Sequence, residues 1–171
     1  IAVTMPCFGT TDRTYQNACE MSKKVGATLI EVPIADAVNV HFRDIGHDPE
    51  DHSVTYENCQ ARERTQVLMD LANKSGGMVI GTGDMSELAL GWCTYNADQM
   101  SMYGVNASIP KTLVKWMIAS VIECNIFPDS TEVLKDIIDT PISPELLPPD
   151  EHGNIVQKTE DSDGQERPAT V

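Results

Sequence analysis

Short apolar runs alternate along this chain with longer stretches in which apolar residues recur every three or four positions. Runs of about five residues rich in Val, Ile and Thr are typical of buried strands, and the three-to-four spacing is typical of amphipathic helices. The predicted strands are residues 1–5, 28–32 and 78–81. The predicted helices are residues 14–25, 36–45, 55–75, 108–124 and 131–138, with Ser108 as the cap of the fourth.

The order of these elements, a strand followed by a helix three times over, predicts the α/β fold class. It indicates a three-layer α/β/α sandwich with a mostly parallel sheet. In such sheets, ligands bind beyond the carboxyl ends of the strands. Two loops are expected to meet there: residues 6–13, PCFGTTDR, and residues 81–87, GTGDMSE. The sequence therefore predicts a ligand site between these two loops.

Charge limits the partners that such a site can take. The 171 residues suit a single domain, and their net charge of −14 argues against a nucleic-acid surface. An acidic protein that binds a polyanion such as a nucleotide needs focused lysines, backbone amides or a divalent metal. We therefore expect one of these three features at the site, and no nucleic-acid partner.

The chain shows no feature of a membrane or secreted protein. No apolar run approaches the roughly 20 residues of a membrane span, and no signal peptide is visible. Five widely spaced cysteines without a C-x-x-C motif indicate reduced thiols. We therefore expect a cytoplasmic protein without a membrane partner. Because Ile1 already lies in a strand-like run, we also expect a piece of a longer protein.

The segment GTGD at 81–84 follows a predicted strand and opens a helix. Glycines let backbone amides approach a phosphate, and a helix N-terminus favours an anion. The motif is neither G-x-x-x-x-G-K-[ST] nor G-x-G-x-x-G, so a purely structural turn stays open. Glu87 also allows two interpretations: it holds Mg²⁺ beside phosphates, or it caps the helix together with Asp84 or Ser86.

The segment ENCQARER at 57–64 places Asn58 and Arg62 one turn apart on the longest predicted helix. Arg62 has the geometry to bind a phosphate or carboxylate with two nitrogens. Ordinary surface pairing between charges a turn apart is the alternative, and spacing alone favours it.

Residues 92–106 combine aromatic and neutral polar side chains, with Asp98 as their only charge. A neutral aromatic loop suits stacking on a flat ring beside one carboxylate; the alternative is a long packed loop. Lys111 follows as the first basic residue. Its ammonium could neutralise a leaving pyrophosphate, or it could be a solvated lysine in a first helical turn.

Three motifs together resemble the synthetase domain of the NAD synthetase family. They are GTGDMSELALGWCTYNADQMSMYGVNASIPKTL, ENCQARERTQVLMDLA and PCFGTTDRTYQNA. The segments DTPISPELLPPDEHG and QKTED extend the resemblance to about Asp161, which predicts a partial domain over 1–161 and a mobile tail over 162–171. The segments SELALGW, TTDRT and TPISPELLP are similar to the longer, glutamine-dependent form.

The resemblance implies an ATP pyrophosphatase fold of the N type, related to the adenine nucleotide alpha hydrolases. It implies ATP-dependent amidation of deamido-NAD to NAD through an adenylated nicotinate, with release of AMP and pyrophosphate. The implied cofactors are ATP and Mg²⁺, and ammonia comes from glutamine in the parent enzyme. The resemblance also implies a homodimer or a higher homo-oligomer.

Site residues follow from the resemblance, motif by motif. ATP contacts are implied for Met5, Thr82, Lys111, Lys158 and Thr159. Deamido-NAD contacts are implied for Asn58, Arg62, Glu87, Trp92, Cys93, Thr94, Tyr95 and Asp98. The implied catalytic residues are Asp98 and Lys111, and the implied metal ligand is Glu87.

The chain also departs from the family pattern. The first strand and its pyrophosphate loop, S-G-G-x-D-S, are absent, and Ala97 stands where glycine is expected before Asp98. We therefore expect this chain to be inactive alone. The alternative function is a non-catalytic nucleotide-binding or dimerisation module. A dinucleotide-binding oxidoreductase is a weaker alternative, because no G-x-G-x-x-G follows the first strand.

Overall fold

The computed structural model describes residues 1–97, 99–140 and Leu146. The strands are β1 Ala2–Thr4, β2 Leu29–Glu31, β3 Ile80–Asp84 and β4 Tyr103–Asn106. The helices are α1 Asp12–Lys24, α2 Ala35–Ile45, α3 Val54–Ser75, α4 Met85–Leu90, α5 Lys111–Glu123 and α6 Thr131–Asp139. A short 3₁₀ turn, Pro128–Ser130, precedes α6.

The strands pair in parallel, as predicted for an α/β fold. β1 pairs with β2, and β3 pairs with β4. Parallel neighbours need a crossover, which α1 supplies for the first pair. Within the described residues these are two separate two-stranded sheets, whereas the sequence predicted one sheet. The α/β class and the parallel pairing are confirmed.

An apolar cluster between α2 and α3 forms the centre of the N-terminal part. Its buried members are Ile34, Val38, Phe42, Tyr56 and Cys59. Phe8, from the loop after β1, packs on this cluster with its ring centroid 5.6 Å from that of Tyr56. The cluster therefore fixes the loop that follows β1, which is one of the two loops between which the ligand site was predicted.

Glycines end α2 and α3 where the sequence predicted. Gly46 and Gly76 have φ angles of 70° and 65°, which side chains with a Cβ rarely adopt. Their backbone N–H groups close the last turns of the two helices. The length of α3, which carries Asn58 and Arg62, is thus fixed locally.

The prediction of a glycine turn at 81–84 is wrong, because these residues form the end of β3; phosphate binding by this segment stays a prediction. The pairing with β4 shifts register between Gly81 and Asp84. A Cβ on Gly81 would lie 2.3 Å from Ser101 Oγ, so this glycine permits close packing against the opposite segment. The predicted loop 92–106 is likewise corrected, since its last four residues form β4.

The start of α5 also differs from the prediction. Ser108 does not cap it; the N-cap is Pro110, which offers no side-chain hydrogen bond. Instead, Ser86 Oγ on α4 accepts a hydrogen bond of 3.1 Å from the backbone N–H of Lys111. The helix pair is thereby joined where the predicted ATP residues lie.

Helix α6 is fastened to α1 by charge. Arg13 donates to both carboxylate oxygens of Asp136, at 2.6 and 2.9 Å, and Asn17 adds a third bond of 2.6 Å. These donors hold the pKa of Asp136 at about 2.

Within the described residues, no helix combines the length and apolar character that crossing a bilayer requires.

Candidate functional site

A cavity of about 190 Å³ lies at the carboxyl end of β1. Its wall includes Thr4 and Met5 of this strand end, Thr10 and Thr11 of the following loop, and Arg64 of α3. This is the place at which parallel α/β sheets bind ligands. Met5, for which the resemblance implies an ATP contact, therefore lines a cavity.

Hydroxyl groups organise the loop on one side of the cavity. Thr10 Oγ1 accepts a hydrogen bond of 3.0 Å from the backbone N–H of Cys7. Thr11 caps α1 by accepting 3.2 Å from the N–H of Thr14. Burial raises the pKa of the Cys7 thiol, which makes it a poor nucleophile near neutral pH.

Tyr15 forms another part of the wall and joins α1 to the end of β2. Its hydroxyl donates to Glu31 Oε2 at 2.5 Å. This bond raises the pKa of Tyr15 to about 12. The carboxylate of Glu31 therefore has a partner beside the cavity, and the phenol keeps its proton at physiological pH.

A second group of predicted residues meets where α3 approaches the segment 92–95. Asn58 Oδ1 accepts a hydrogen bond of 2.8 Å from Thr94 Oγ1. Arg62 Nε donates to the backbone carbonyl of Tyr95 at 3.3 Å. Arg62 thus crosses to the other segment, which the surface-pairing interpretation did not anticipate.

The aromatic side chains of this segment are open to solvent. Tyr95 is 82% exposed and Trp92 is 48% exposed, while Ala97 is fully buried and anchors the segment. Cys93 is half-buried. The segment is therefore packed through its backbone and Ala97, and its rings stay available for stacking. The packed-loop interpretation therefore holds in part, and stacking on a ligand ring stays a prediction.

The first turn of α4 brings together Glu87 and Lys111. Asp84 Oδ1 accepts from the backbone N–H groups of Ser86 and Glu87, at 2.8 and 3.1 Å. Glu87 Oε2 accepts in return from Asp84 N at 3.1 Å, which completes a capping box. The other oxygen, Oε1, lies 3.9 Å from Lys111 Nζ.

Glu87 can therefore serve a cation with only one carboxylate oxygen. Across residues 1–97, 99–140 and Leu146, no three His, Cys, Asp or Glu side chains are grouped as a metal site. Mg²⁺ is commonly held by one or two carboxylates together with substrate phosphates. The residues present fit a magnesium ion that is bound mainly by a substrate, and not one held by the protein alone.

The structure says less about the other residues that were predicted to bind ligands. Thr82 is exposed on β3, apart from the cavity at β1. Asp98, Lys158 and Thr159 lie outside the described residues. Sequence reasoning missed Arg64 as a cavity residue and Ser86 as the acceptor at the start of α5; ENCQARER contains both arginines, but only the fold shows that the second one lines a cavity.

A family model described as NAD synthase matches residues 1–146. A glutamine-dependent NAD(+) synthetase of Mycobacterium leprae is 46% identical over 156 residues, which cover 88% of this chain and 23% of that protein. The corresponding protein of Acinetobacter baylyi is 34% identical over 151 residues, covering 86% and 27%. The chain thus spans about a quarter of the length of these relatives.

Two solved structures also match this chain. The glutamine-dependent NAD+ synthetase of Acinetobacter baumannii, in complex with ADP, matches with a TM-score of 0.72 at 29% identity. The match covers 82% of this chain and 26% of that one. The NMN synthetase of Francisella tularensis also has a TM-score of 0.72, but its 21% identity, over 88% of this chain and 59% of that one, supports the fold alone.

Proposed function

The chain belongs to the NAD synthase family, and we propose that it forms part of a synthetase domain that uses ATP to amidate deamido-NAD to NAD. The observation that carries this proposal is the junction of α3 with segment 92–95. Two hydrogen bonds there join residues for which the resemblance implies contact to deamido-NAD, Asn58 with Thr94 and Arg62 with Tyr95. The names of the curated relatives support the same activity.

The proposed reaction has two steps. The nicotinate carboxylate of deamido-NAD attacks the α-phosphorus of ATP, and the bond to pyrophosphate breaks. Ammonia, released from glutamine in the parent enzyme, then attacks the carboxyl carbon. The bond to AMP breaks, and the nitrogen loses a proton to give the amide. Both steps develop negative charge that cationic groups stabilise.

ATP is proposed to bind between the end of β1 and the paired starts of α4 and α5. The adenine lies near Met5 at the cavity. Lys111, whose side chain is 53% exposed beside Glu87, holds phosphates and neutralises the leaving pyrophosphate. Thr82 adds a polar contact, and Lys158 with Thr159 is proposed from the motif QKTED alone.

The metal proposal rests on Glu87. Its Oε1 is not used by the capping box, so this oxygen can face a magnesium ion that the phosphates of ATP carry. When bound, Mg²⁺ would screen the phosphate charge as a Lewis acid. The alternative role of Glu87 as a helix cap is compatible with this, because the two roles use different oxygens.

Deamido-NAD is proposed to lie against α3 and segment 92–95. The nicotinate ring can stack on the exposed rings of Trp92 and Tyr95. Cys93 and Thr94 lie between these two residues in the segment. Asn58 and Arg62 supply amide and guanidinium groups on α3. Asp98 is proposed to lie near the carboxyl carbon and the incoming ammonia.

Calorimetric titration with deamido-NAD tests this assignment. Arg62→Ala and Asp98→Ala should each weaken binding about tenfold or more, because each removes a charged contact. Arg43→Ala is the matched control, since Arg43 is an exposed arginine of α2 beside Asp44. Unchanged affinity in both site variants would show that the site is assigned wrongly.

The inactivity of the 171-residue chain stays a prediction, as does a cytoplasmic location. Mixing the chain with ATP, deamido-NAD and ammonia should yield no AMP above background. AMP formed in proportion to the chain would contradict the prediction, and would leave the proposed reaction itself intact.

A dimerisation module is the second candidate function. Helix α5 presents apolar side chains on its outer surface, with Trp116 72% exposed and Leu113 and Met117 about half exposed. Exposed apolar surface of this kind marks interaction sites, and we propose a homodimer or higher homo-oligomer. Sedimentation equilibrium tests it: a monomer at all concentrations excludes this candidate.

A further inference from the structure

The cavity at the end of β1 contains one formal charge among the described residues that line it, and this charge belongs to Arg64. The remaining lining groups are apolar side chains, glycine and hydroxyls, including those of Thr10, Thr11 and Thr14. The chain as a whole carries a net charge of −14. A cavity with a solely positive charge in an acidic protein is suited to an anion.

Arg64 and Arg62 point to different places although they lie two positions apart on α3. Two residues correspond to about 200° around a helix. Arg62 donates to Tyr95 in the deamido-NAD region, whereas Arg64 lines the cavity. Burial raises the pKa of the nearby Cys7 thiol, and the charge of Arg64 opposes that effect. The guanidinium therefore lies near the loop that follows β1, and Glu63 beside it has the opposite effect on Cys7.

The volume of the cavity limits the size of the ligand that it can hold. Pockets for whole small ligands measure about 300–1,000 Å³, and this one measures about 190 Å³. It therefore accommodates part of a nucleotide. Glu31, an acidic residue beside the wall, is hydrogen-bonded to Tyr15. Phosphate oxygens accept hydrogen bonds from hydroxyl and guanidinium groups.

We propose that Arg64 binds a phosphate group of the nucleotide that enters this cavity, and that this nucleotide is ATP. The inference rests on the proposed function, because it assumes that ATP binds at the end of β1. It adds a ligand contact to a residue that the family motifs did not single out. The guanidinium would form two parallel hydrogen bonds to phosphate oxygens, which lysine cannot reproduce.

Calorimetry on the 171-residue chain tests the proposal, with ATP, adenosine, pyrophosphate and deamido-NAD as separate probes. Arg64→Gln should weaken ATP binding about tenfold or more, and Arg64→Lys should give an intermediate loss. Both variants should bind deamido-NAD within twofold of the unaltered chain. Arg62→Gln is the matched comparison on the same helix, and it should show the opposite pattern. Pyrophosphate should compete with ATP better than adenosine does.

Each alternative outcome is decisive. If Arg64→Gln binds ATP as the unaltered chain does, the inference is wrong while the proposed function stands. If adenosine competes better than pyrophosphate, the base and not the phosphates supplies most of the affinity, and Arg64 makes no phosphate contact. If Arg64→Gln weakens deamido-NAD instead, the phosphate belongs to that ligand and the inference fails. If the unaltered chain binds no ATP, both the inference and the proposed ATP site fail. The competition arm uses the unaltered chain, so it decides even if a variant does not fold.

Discussion

The hydroxyl of Ser86 accepts a hydrogen bond of 3.1 Å from the backbone N–H of Lys111. These residues are 25 positions apart, and the bond makes a side chain of α4 the cap of α5. Pro110, the residue at the N-cap position, provides no side-chain acceptor. The backbone that carries the proposed phosphate-binding lysine is thus held by the helix that carries Glu87.

Removing this hydroxyl should destabilise the start of α5. We expect Ser86→Ala to lower the free energy of unfolding by about 1 kcal/mol, the usual effect of losing a cap. Ser108→Ala is the matched control and should change nothing, since Ser108 does not cap the helix. Urea unfolding of both variants checks this; equal effects would show that Ser86 does not act as the cap.

Acid stability should depend on Asp136. Its pKa is held at about 2 by Arg13 and Asn17, below the value of about 3.9 of an unfolded chain. A lowered pKa contributes stability that is present above the unfolded value and is lost as the pH falls through the folded one. Urea midpoints of the unaltered chain should therefore decline relative to those of Asp136→Asn between about pH 4 and pH 2.

A second exposed pair provides the control for this experiment. Lys24 and Glu20 form a salt bridge of 2.8 Å one turn apart on α1. Exposed pairs of this kind contribute little to the free energy of unfolding. Glu20→Gln should therefore run parallel to the unaltered chain over the same pH range. A parallel curve for Asp136→Asn as well would refute the role of the Arg13–Asp136 pair.

Gly81 should tolerate no Cβ. The added atom would lie 2.3 Å from Ser101 Oγ and 2.8 Å from Ser101 Cβ, and overpacking of this kind costs about 1–3 kcal/mol. Gly104→Ala is the control on the paired strand, because its nearest neighbour, Ala107 Cβ, is 3.6 Å away. Thermal unfolding measures both variants, and Ser101→Gly should restore the stability of Gly81→Ala. Without that rescue, the clash is not the cause.

Local signals determine how much the sequence predicts. Helix ends at Gly46 and Gly76 follow from the left-handed conformation that glycine adopts at low cost, so α2 and α3 were predicted closely. Gly81 shows the opposite case. Its role depends on Ser101, twenty positions away, and no local pattern reveals such a contact. β4 was missed because YGVN contains a glycine, which weakens the strand pattern.

The candidate site was predicted from the sequence to about the same extent as the fold. Motif resemblance implied ligand contacts for Asn58, Arg62, Thr94 and Tyr95, and the fold joins Asn58 to Thr94 and Arg62 to Tyr95. It did not predict that Arg64 lines a cavity, because the direction of each side chain depends on what packs around the helix. It also left Glu87 with two roles: the structure shows the cap through Oε2, while Oε1 lies 3.9 Å from Lys111 Nζ and the metal role stays a proposal.

The hydrogen bond between Asn58 and Thr94 should contribute to deamido-NAD binding by holding segment 92–95 against α3. Asn58→Ala and Thr94→Val should each weaken the affinity about two- to tenfold, the usual contribution of one neutral hydrogen bond. Because both changes break the same bond, the double variant should lose less than the product of the single effects. Calorimetry with deamido-NAD measures all three variants. Thr94→Ser keeps the hydroxyl and should bind as the unaltered chain does. Independent single effects, or a Thr94→Ser variant as weak as Thr94→Val, would show that this bond does not position the segment.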